Sequence, residues 1–323
     1  MNDNIPKVTV LMSVYGHKDY VAESIESILN QTFSDLELVI IDDGCNYDLY
    51  GITKDFNDSR ITYIKNSGNI GLTRSLLKGI SAAQSAYIAR QDAGNISMPD
   101  RIKTQTDFLQ SHPDCYLAGS SVILIDEGNN EICREVFPGD YEFIQNTLPE
   151  YNCIYHSSIM FRNDGKYSYR EKFRYSQDYD LYLRMLSDNI KLCNIPDILL
   201  RERLLEHSIT YSSHFQQEFF TVLAQKFYSE RKNLGKDSYE DFEYREGAGP
   251  ANVKKCRKII VRDFFRQKAY LFIYSFKFLE LRKLVMDYSR ENGFDIKLII
   301  YFIFSYFPFI VRTLKKHKKI NIS

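Results

Sequence analysis

Tyr87-Ile88-Ala89-Arg90-Gln91-Asp92-Ala93-Gly94-Asn95 is the stretch around which the chain organises. Its apolar start reads as a short buried strand, and its end sets a carboxylate, a small residue, a glycine and an amide in a turn just past the strand's carboxyl end. In an open α/β sheet that edge is where ligands bind. A single Asp after a strand serves equally well as a turn former. A second strand, Leu36-Glu37-Leu38-Val39-Ile40-Ile41, also runs straight into carboxylates, Asp42-Asp43-Gly44. Two acidic strand ends in one sheet point to a metal or a nucleotide.

Upstream, Val8-Thr9-Val10-Leu11-Met12-Ser13-Val14 is a near-continuous apolar, β-branched run, the pattern of a strand buried on both faces, and it ends at Tyr15-Gly16. Residues 19–31 place Val21, Ile25, Ile28 and Leu29 on one helical face, so strand, helix and acidic-ended strand form a right-handed βαβ unit. Residues 46–60 read as polar and irregular, and 60–65 as a short strand. After the turn Asn66-Ser67-Gly68-Asn69-Ile70-Gly71, a helix is predicted over 73–83. Arg74 falls in its first turn, where a cation opposes the helix dipole unless it is solvated or an anion sits nearby.

Downstream, Ser97-Met98-Pro99-Asp100 has capping-box spacing and predicts a helix reaching residue 111. Residues 119–126 and 131–136 flank Glu127-Gly128-Asn129-Asn130 and read as an antiparallel hairpin, so the sheet is mixed. An apolar strand over 157–161 follows His156. Gln177-Asp178-Tyr179-Asp180 opens a helix in which Asp180 and Arg184 are an i, i+4 pair, leaving Asp178 to spare.

The 323 residues carry no net charge, but residues 251–323 hold 17 Lys+Arg against 5 Asp+Glu, and the rest is correspondingly acidic. Such a tail implies an anionic partner. Residues 253–288 interleave basic and aromatic side chains at helical spacing. Residues 298–311 are uncharged, rich in Ile, Phe and Tyr, and broken by Pro308; Arg312, Lys315, Lys316, Lys318 and Lys319 follow. That run is shorter than the roughly 20 residues a spanning helix needs. An interfacial segment drawn to anionic lipid fits better, which favours a membrane surface over nucleic acid. The division expected is 1–212 as catalytic domain, 213–295 as helical extension and 296–323 as membrane-associating segment. Six scattered cysteines without a Cys-x-x-Cys pair, and a start with no export signal, suggest reduced thiols and a cytoplasmic location.

The order of motifs over residues 6–205 resembles the family 2 glycosyltransferases. It is carried by Ser13-Val14-Tyr15, Asn30-Gln31-Thr32-Phe33, Ile41-Asp42-Asp43-Gly44, Asn69-Ile70-Gly71-Leu72-Thr73-Arg74, Ala89-Arg90-Gln91-Asp92-Ala93, Pro99-Asp100-Arg101 and Gln177-Asp178-Tyr179-Asp180-Leu181. The resemblance implies a GT-A fold with a mixed, mostly parallel central sheet flanked by helices. It also implies inverting transfer from a nucleotide sugar. Ser13, Tyr15 and Asp42 or Asp43 would hold the nucleoside, and Arg74 would face the diphosphate. Asp92 would bind the divalent cation, Mg²⁺ or Mn²⁺, as the first Asp of a D-x-D motif, and Asp178 would be the catalytic base. With no Trp, the chain lacks the Gln-x-x-Arg-Trp signature of processive synthases, so one sugar per acceptor is expected.

One departure bears on the metal. Where the family usually has Asp-Ala-Asp-Asp, this chain has Asp92-Ala93-Gly94-Asn95. Mg²⁺ accepts few protein ligands when phosphates and water supply the others, so Asp92 can suffice, with weaker affinity. Asn95 offers a carbonyl oxygen, and His156 is a further candidate for metal or substrate. The expected reaction adds a hexose, from a UDP-sugar, to a lipid-linked saccharide of O-antigen or capsule assembly at the inner face of the cell membrane. A non-catalytic sugar-nucleotide-binding subunit is the alternative that would explain the eroded motif.

Overall fold

The computed structural model describes residues 5–205, 214–244 and 285–286. The expectations for residues 253–284 and 287–323, the membrane-associating segment included, lie outside the described residues. The chain forms two compact units. The first comprises Met1–Ile125, Cys133–Arg203 and Phe219–Ala248, and the second Asp126–Ile132, Leu204–Glu218 and Gly249–Ser323. The first carries every side chain of the candidate site.

In chain order the elements are β1 (Val8–Val14), α1 (Lys18–Leu29), β2 (Leu36–Asp42), α2 (Leu49–Asp55), β3 (Ile61–Lys65), α3 (Leu72–Ala82), β4 (Tyr87–Asp92) and β5 (Ile96–Ser97). Then follow α4 (Arg101–Ser111), β6 (Cys115–Ile125), β7 (Glu131–Glu135), α5 (Tyr141–Thr147), a 3₁₀ turn (His156–Ser158), β8 (Met160–Arg162), α6 (Gln177–Ser187), β9 (Lys191–Arg203) and α7 (His214–Leu234). Among the described residues the strands form one sheet in the order β3-β2-β1-β4-β8-β6-β9-β5, with β7 paired to β6. The first four are mutually parallel, whereas β8 is antiparallel to both β4 and β6. β9 is parallel to β6, so it points the same way as β4.

The alternation of side chains along a strand divides the core into two layers. Val8, Val10, Met12 and Val14 join Val21, Ile25 and Ile28 of α1 and Ile102 and Leu109 of α4 on one face. Leu11, Val39, Ile41 and Ile88 face the other layer with Leu76 of α3, Tyr179 and Leu183 of α6, and Phe220, Leu223 and Phe227 of α7. Burial on both faces is what makes β1 read as a continuous apolar run. Burial of each Phe in the Phe173, Phe220 and Phe227 cluster contributes roughly 1.5–3 kcal/mol.

Several local expectations are corrected. Residues 46–60 are not wholly irregular: the Asp48 carboxylate accepts the N–H of Gly51 at 2.9 Å and starts α2, too short to show a period. Ser97 belongs to β5 rather than to a capping box, and α4 begins at Arg101. The strand expected over 157–161 is a 3₁₀ turn followed by β8. β9 and α5 had no sequence signal strong enough to place them; Pro196 interrupts the apolar pattern of β9, where the register with β6 shifts.

Candidate functional site

Strand register gathers the acidic ends. Ser13 pairs with Ile41 on one side and with Asp92 on the other, and Val14 pairs with Asp42. The carboxyl ends of β2, β1 and β4 thus form one edge, with the N-terminus of α3 following β3.

On the β2 side both carboxylates build the loop they sit in. Asp42 Oδ1 accepts from the backbone N–H groups of Gly44 at 3.0 Å and Cys45 at 2.8 Å, and Oδ2 accepts from the Tyr63 hydroxyl at 2.5 Å. Burial opposes its charge, but these donors hold its pKa below the ordinary carboxylate value. Asp43 Oδ1 accepts from Asn66 and from the N–H of Ile70, both at 2.9 Å, and Oδ2 from the N–H of Gly71 at 3.0 Å. Gly44 lies at φ +87°, and a Cβ there would come within 2.6 Å of the Asn69 nitrogen, so only glycine lets the two loops close. Each Asp keeps one oxygen, Oδ2, with a single donor. Tyr15 is exposed and Ser13 half-buried beside this loop.

Arg74 points its guanidinium at Glu171, Nε to Oε1 at 2.9 Å, with both side chains more than half exposed. A pair so solvated contributes little, so the guanidinium can turn to a phosphate at small cost.

At the end of β4, Arg90 pairs with Asp92 through Nη2 and Oδ1; the guanidinium is 1% exposed and the carboxylate side chain 41%. Burial again opposes ionisation, while the Arg90 charge holds the Asp92 pKa below its usual range. Behind them Arg101 is fully buried and donates to Gln91 Oε1 and Ser97 Oγ, each at 2.9 Å, and to the Arg90 carbonyl at 2.6 Å. Burial lowers its pKa to about 9. The Gln31 side chain donates to the Met98 carbonyl and accepts from the N–H of Ile102, tying α1 to the start of α4. The Asn-Gln-Thr-Phe and Pro-Asp-Arg motifs therefore support the strand that presents Asp92.

Gly94 has φ +105°, its N–H donates to Ser24 Oγ at 2.8 Å and its carbonyl accepts from Arg203 Nε at 2.9 Å. Asn95 is buried, and its Oδ1 accepts the backbone N–H of Arg203 at 3.0 Å. The oxygen considered as a metal ligand is thus engaged in the turn. His156 Nε2 meets the Tyr169 hydroxyl at 2.7 Å; burial, then the nearby Arg90 charge, push its pKa down to about 3, so the imidazole is neutral. No group of three or more His, Cys, Asp or Glu that would hold a metal occurs among the described residues. A divalent cation fits here through the accessible oxygen of Asp92, with phosphates and water completing its shell.

The two acids of α6 have separate fates. Asp180 is 1% exposed between Arg184 Nε at 3.0 Å and Arg170 Nη1 at 3.6 Å, while Arg170 Nη2 also holds Asp237 at 2.7 Å. Asp178 has no cationic partner among the described residues; its Oδ2 accepts from Asn152 Nδ2 at 2.9 Å. Burial raises its pKa, and the charge of Asp92 raises it further. One turn on, the buried Tyr182 hydroxyl makes no hydrogen bond among the described residues, nor does the buried Arg90 Nε, orphans of the kind that gather at functional sites.

Sequence reasoning missed Asn152, Ser157, Glu202 and Arg203. Arg203 donates to Glu23 as well as to Gly94 and stacks 4.4 Å from the Tyr20 ring centroid, clamping α1, the 94–95 turn and the end of β9. An unplaced β9 left no way to bring these residues to the edge.

A profile described as Glycosyl transferase family 2 matches residues 9–172. The chain is 33% identical over 235 residues to an uncharacterized glycosyltransferase, MJ1057, of Methanocaldococcus jannaschii, covering 70% of this chain and 81% of that one. It is 32% identical over 235 residues to the O-antigen biosynthesis glycosyltransferase WbnJ of Escherichia coli, covering 69% and 90%. Among solved structures it is similar to S. aureus TarS 1-349 in complex with UDP-GlcNAc, at TM-score 0.55 and 12% identity over 98% of this chain and 93% of that one. It is also similar to the mannosyltransferase PcManGT of Pyrobaculum calidifontis in complex with GDP-Man and Mn²⁺, at TM-score 0.56 and 10% identity over 97% and 88%. The mixed α/β architecture is that of the GT-A glycosyltransferases.

Proposed function

The chain belongs to glycosyl transferase family 2, and on that premise we propose that it transfers a single hexose, with inversion, from a UDP-sugar to a lipid-linked saccharide in O-antigen or capsular polysaccharide assembly. The observation that carries the reading is the contrast on α6. Asp180 is neutralised by two arginines, whereas Asp178 has none among the described residues, is half-buried and feels the charge of Asp92. A carboxylate with a raised pKa, held by one amide, is suited to take a proton from an attacking hydroxyl.

Asp178 accepts the acceptor's hydroxyl proton as its oxygen bonds to the anomeric carbon, and the bond from that carbon to the phosphate oxygen breaks on the opposite face. The nucleoside sits against Ser13 and Tyr15, with Asp42 or Asp43 Oδ2 open to a base N–H. Arg74 leaves Glu171 to meet the diphosphate. A divalent cation, Mg²⁺ or Mn²⁺, held by Asp92 would stabilise the charge of the leaving nucleoside diphosphate. Asn95 shapes the turn rather than binding that cation, and neutral His156 is available to metal or sugar. The apolar and basic sequence of residues 296–323 supports an acceptor at a membrane surface, on the inner face of the cell membrane. No helix among the described residues is long and apolar enough to cross a membrane.

The test is a panel of UDP- and GDP-sugars with short-chain and polyprenyl-linked acceptors, the product's anomeric configuration read by NMR and the reaction repeated across Mg²⁺ and Mn²⁺ concentrations. Inverted single-sugar product from a UDP-hexose is expected. Nucleotide-sugar binding without transfer to any acceptor would favour a non-catalytic subunit.

A further inference from the structure

β9 ends on the same sheet edge as β4, and its last two residues, Glu202 and Arg203, lie there. Arg203 is committed on all sides to Asn95, Gly94 and Glu23, which fixes the end of β9 against the 92–95 turn. Glu202 is consequently held in place beside that turn, half-buried. One of its oxygens, Oε2, accepts the Ser157 hydroxyl at 2.6 Å, and the other has no hydrogen-bond partner among the described residues. Ser157 belongs to the short segment 152–158 whose Asn152 orients Asp178 and whose His156 packs on Tyr169. One segment therefore supports both carboxyl groups. Both also feel the charge of Asp92.

If the diphosphate lies at Asp92 and the attacking hydroxyl at Asp178, the hexose ring occupies the space these groups share, and its hydroxyls need acceptors. Asp43, Asp42 and Asp180 are committed elsewhere, and Asp178 serves the acceptor. We propose that the unpartnered oxygen of Glu202 accepts a hydrogen bond from one ring hydroxyl of the transferred sugar, making Glu202 a specificity-determining residue; this rests on the donor reading above. Burial, with Asp92 nearby, pushes its pKa up to about 7, so near neutral pH the group can both accept and donate to a hydroxyl.

The experiment compares the accepted nucleotide hexose with each of its monodeoxy analogues on the full chain. In the unmutated enzyme one deoxy position should lower kcat/KM by about 10- to 100-fold, the scale of a hydrogen bond to a charged group. In Glu202→Gln, and in Glu202→Asp should the amide variant not fold, that discrimination should shrink at the same position alone, with inhibition by free nucleoside diphosphate unchanged. Ser157→Ala, which leaves the carboxylate in place, should retain it. Discrimination undiminished in both Glu202 variants overturns the proposal. So does a parallel loss of nucleoside diphosphate inhibition, or an equal effect in Ser157→Ala, because either makes Glu202 a support of the fold. Failure of the unmutated enzyme to transfer from any nucleotide sugar overturns the donor reading itself, and this assignment with it.

Discussion

Asp178→Asn keeps the shape of the side chain and its contact with Asn152 but cannot accept a proton. General-base contributions of about 10²- to 10⁴-fold correspond to about 2.7–5.5 kcal/mol of transition-state stabilisation, so single-turnover transfer should fall by that factor with donor affinity little changed. Stability should move the other way. Because burial and Asp92 raise the folded-state pKa of Asp178, ionising it costs the folded state more than the unfolded chain. The penalty is full above the folded pKa and vanishes below the unfolded value of about 3.9. Removing the charge should therefore raise Tm at pH 8, and the gain should shrink as pH falls. Each pKa unit is about 1.4 kcal/mol, and each kcal/mol about 2–4 °C for a chain of this size. Asp180→Asn is the control: it leaves Arg170 and Arg184 without their buried partner and should lower Tm, by about 3–5 kcal/mol of stability. Pre-steady-state transfer and thermal unfolding at two pH values suffice. An Asp178→Asn enzyme that transfers within tenfold of the parent rate, or that is less stable at pH 8, would refute the assignment.

Gly94→Asp restores the usual acidic residue but forces a side chain onto a backbone at φ +105°, a strain of about 1–3 kcal/mol. Tm should drop and half-activation by Mn²⁺ should not improve; tighter metal activation at unchanged Tm would show that the turn tolerates a carboxylate. Arg203→Met strips donors from the Gly94 carbonyl and from Glu23 and should cost about 2–3 kcal/mol in urea denaturation, with the partly exposed Glu23 limiting the loss. An unchanged midpoint would mean the clamp is dispensable. Deleting residues 296–323 should abolish flotation with anionic liposomes while donor binding persists. Reversing the charge of Lys315, Lys316, Lys318 and Lys319 should weaken flotation only partly, and more at low salt; flotation that survives the deletion would place membrane binding elsewhere.

The sequence by itself determined β1, α1, β2, β3, α3, β4, α4, the β6–β7 hairpin and α6, though not α2, β5 or α5, together with the acidic ends of β2 and β4 and Asp178 at the head of a helix. Those features are local: the period of apolar residues, the chemistry of turns and the spacing of a motif are readable within a dozen residues. It also registered the loss of the second and third acids after Asp92. What it left undecided depended on partners far away in the chain. The sequence paired Asp180 with Arg184 and left Asp178 to spare, but did not show that Arg170 also closes on Asp180 or that Asn152 holds Asp178. Asn95 looked free to bind metal until the antiparallel pairing of β5 with β9 brought the Arg203 N–H to it. Glu202 carried no motif and became a site residue only by standing at the same sheet edge as Asp92. Which carboxylates stay free is a matter of burial and of non-local donors, and these exist only once the sheet has closed.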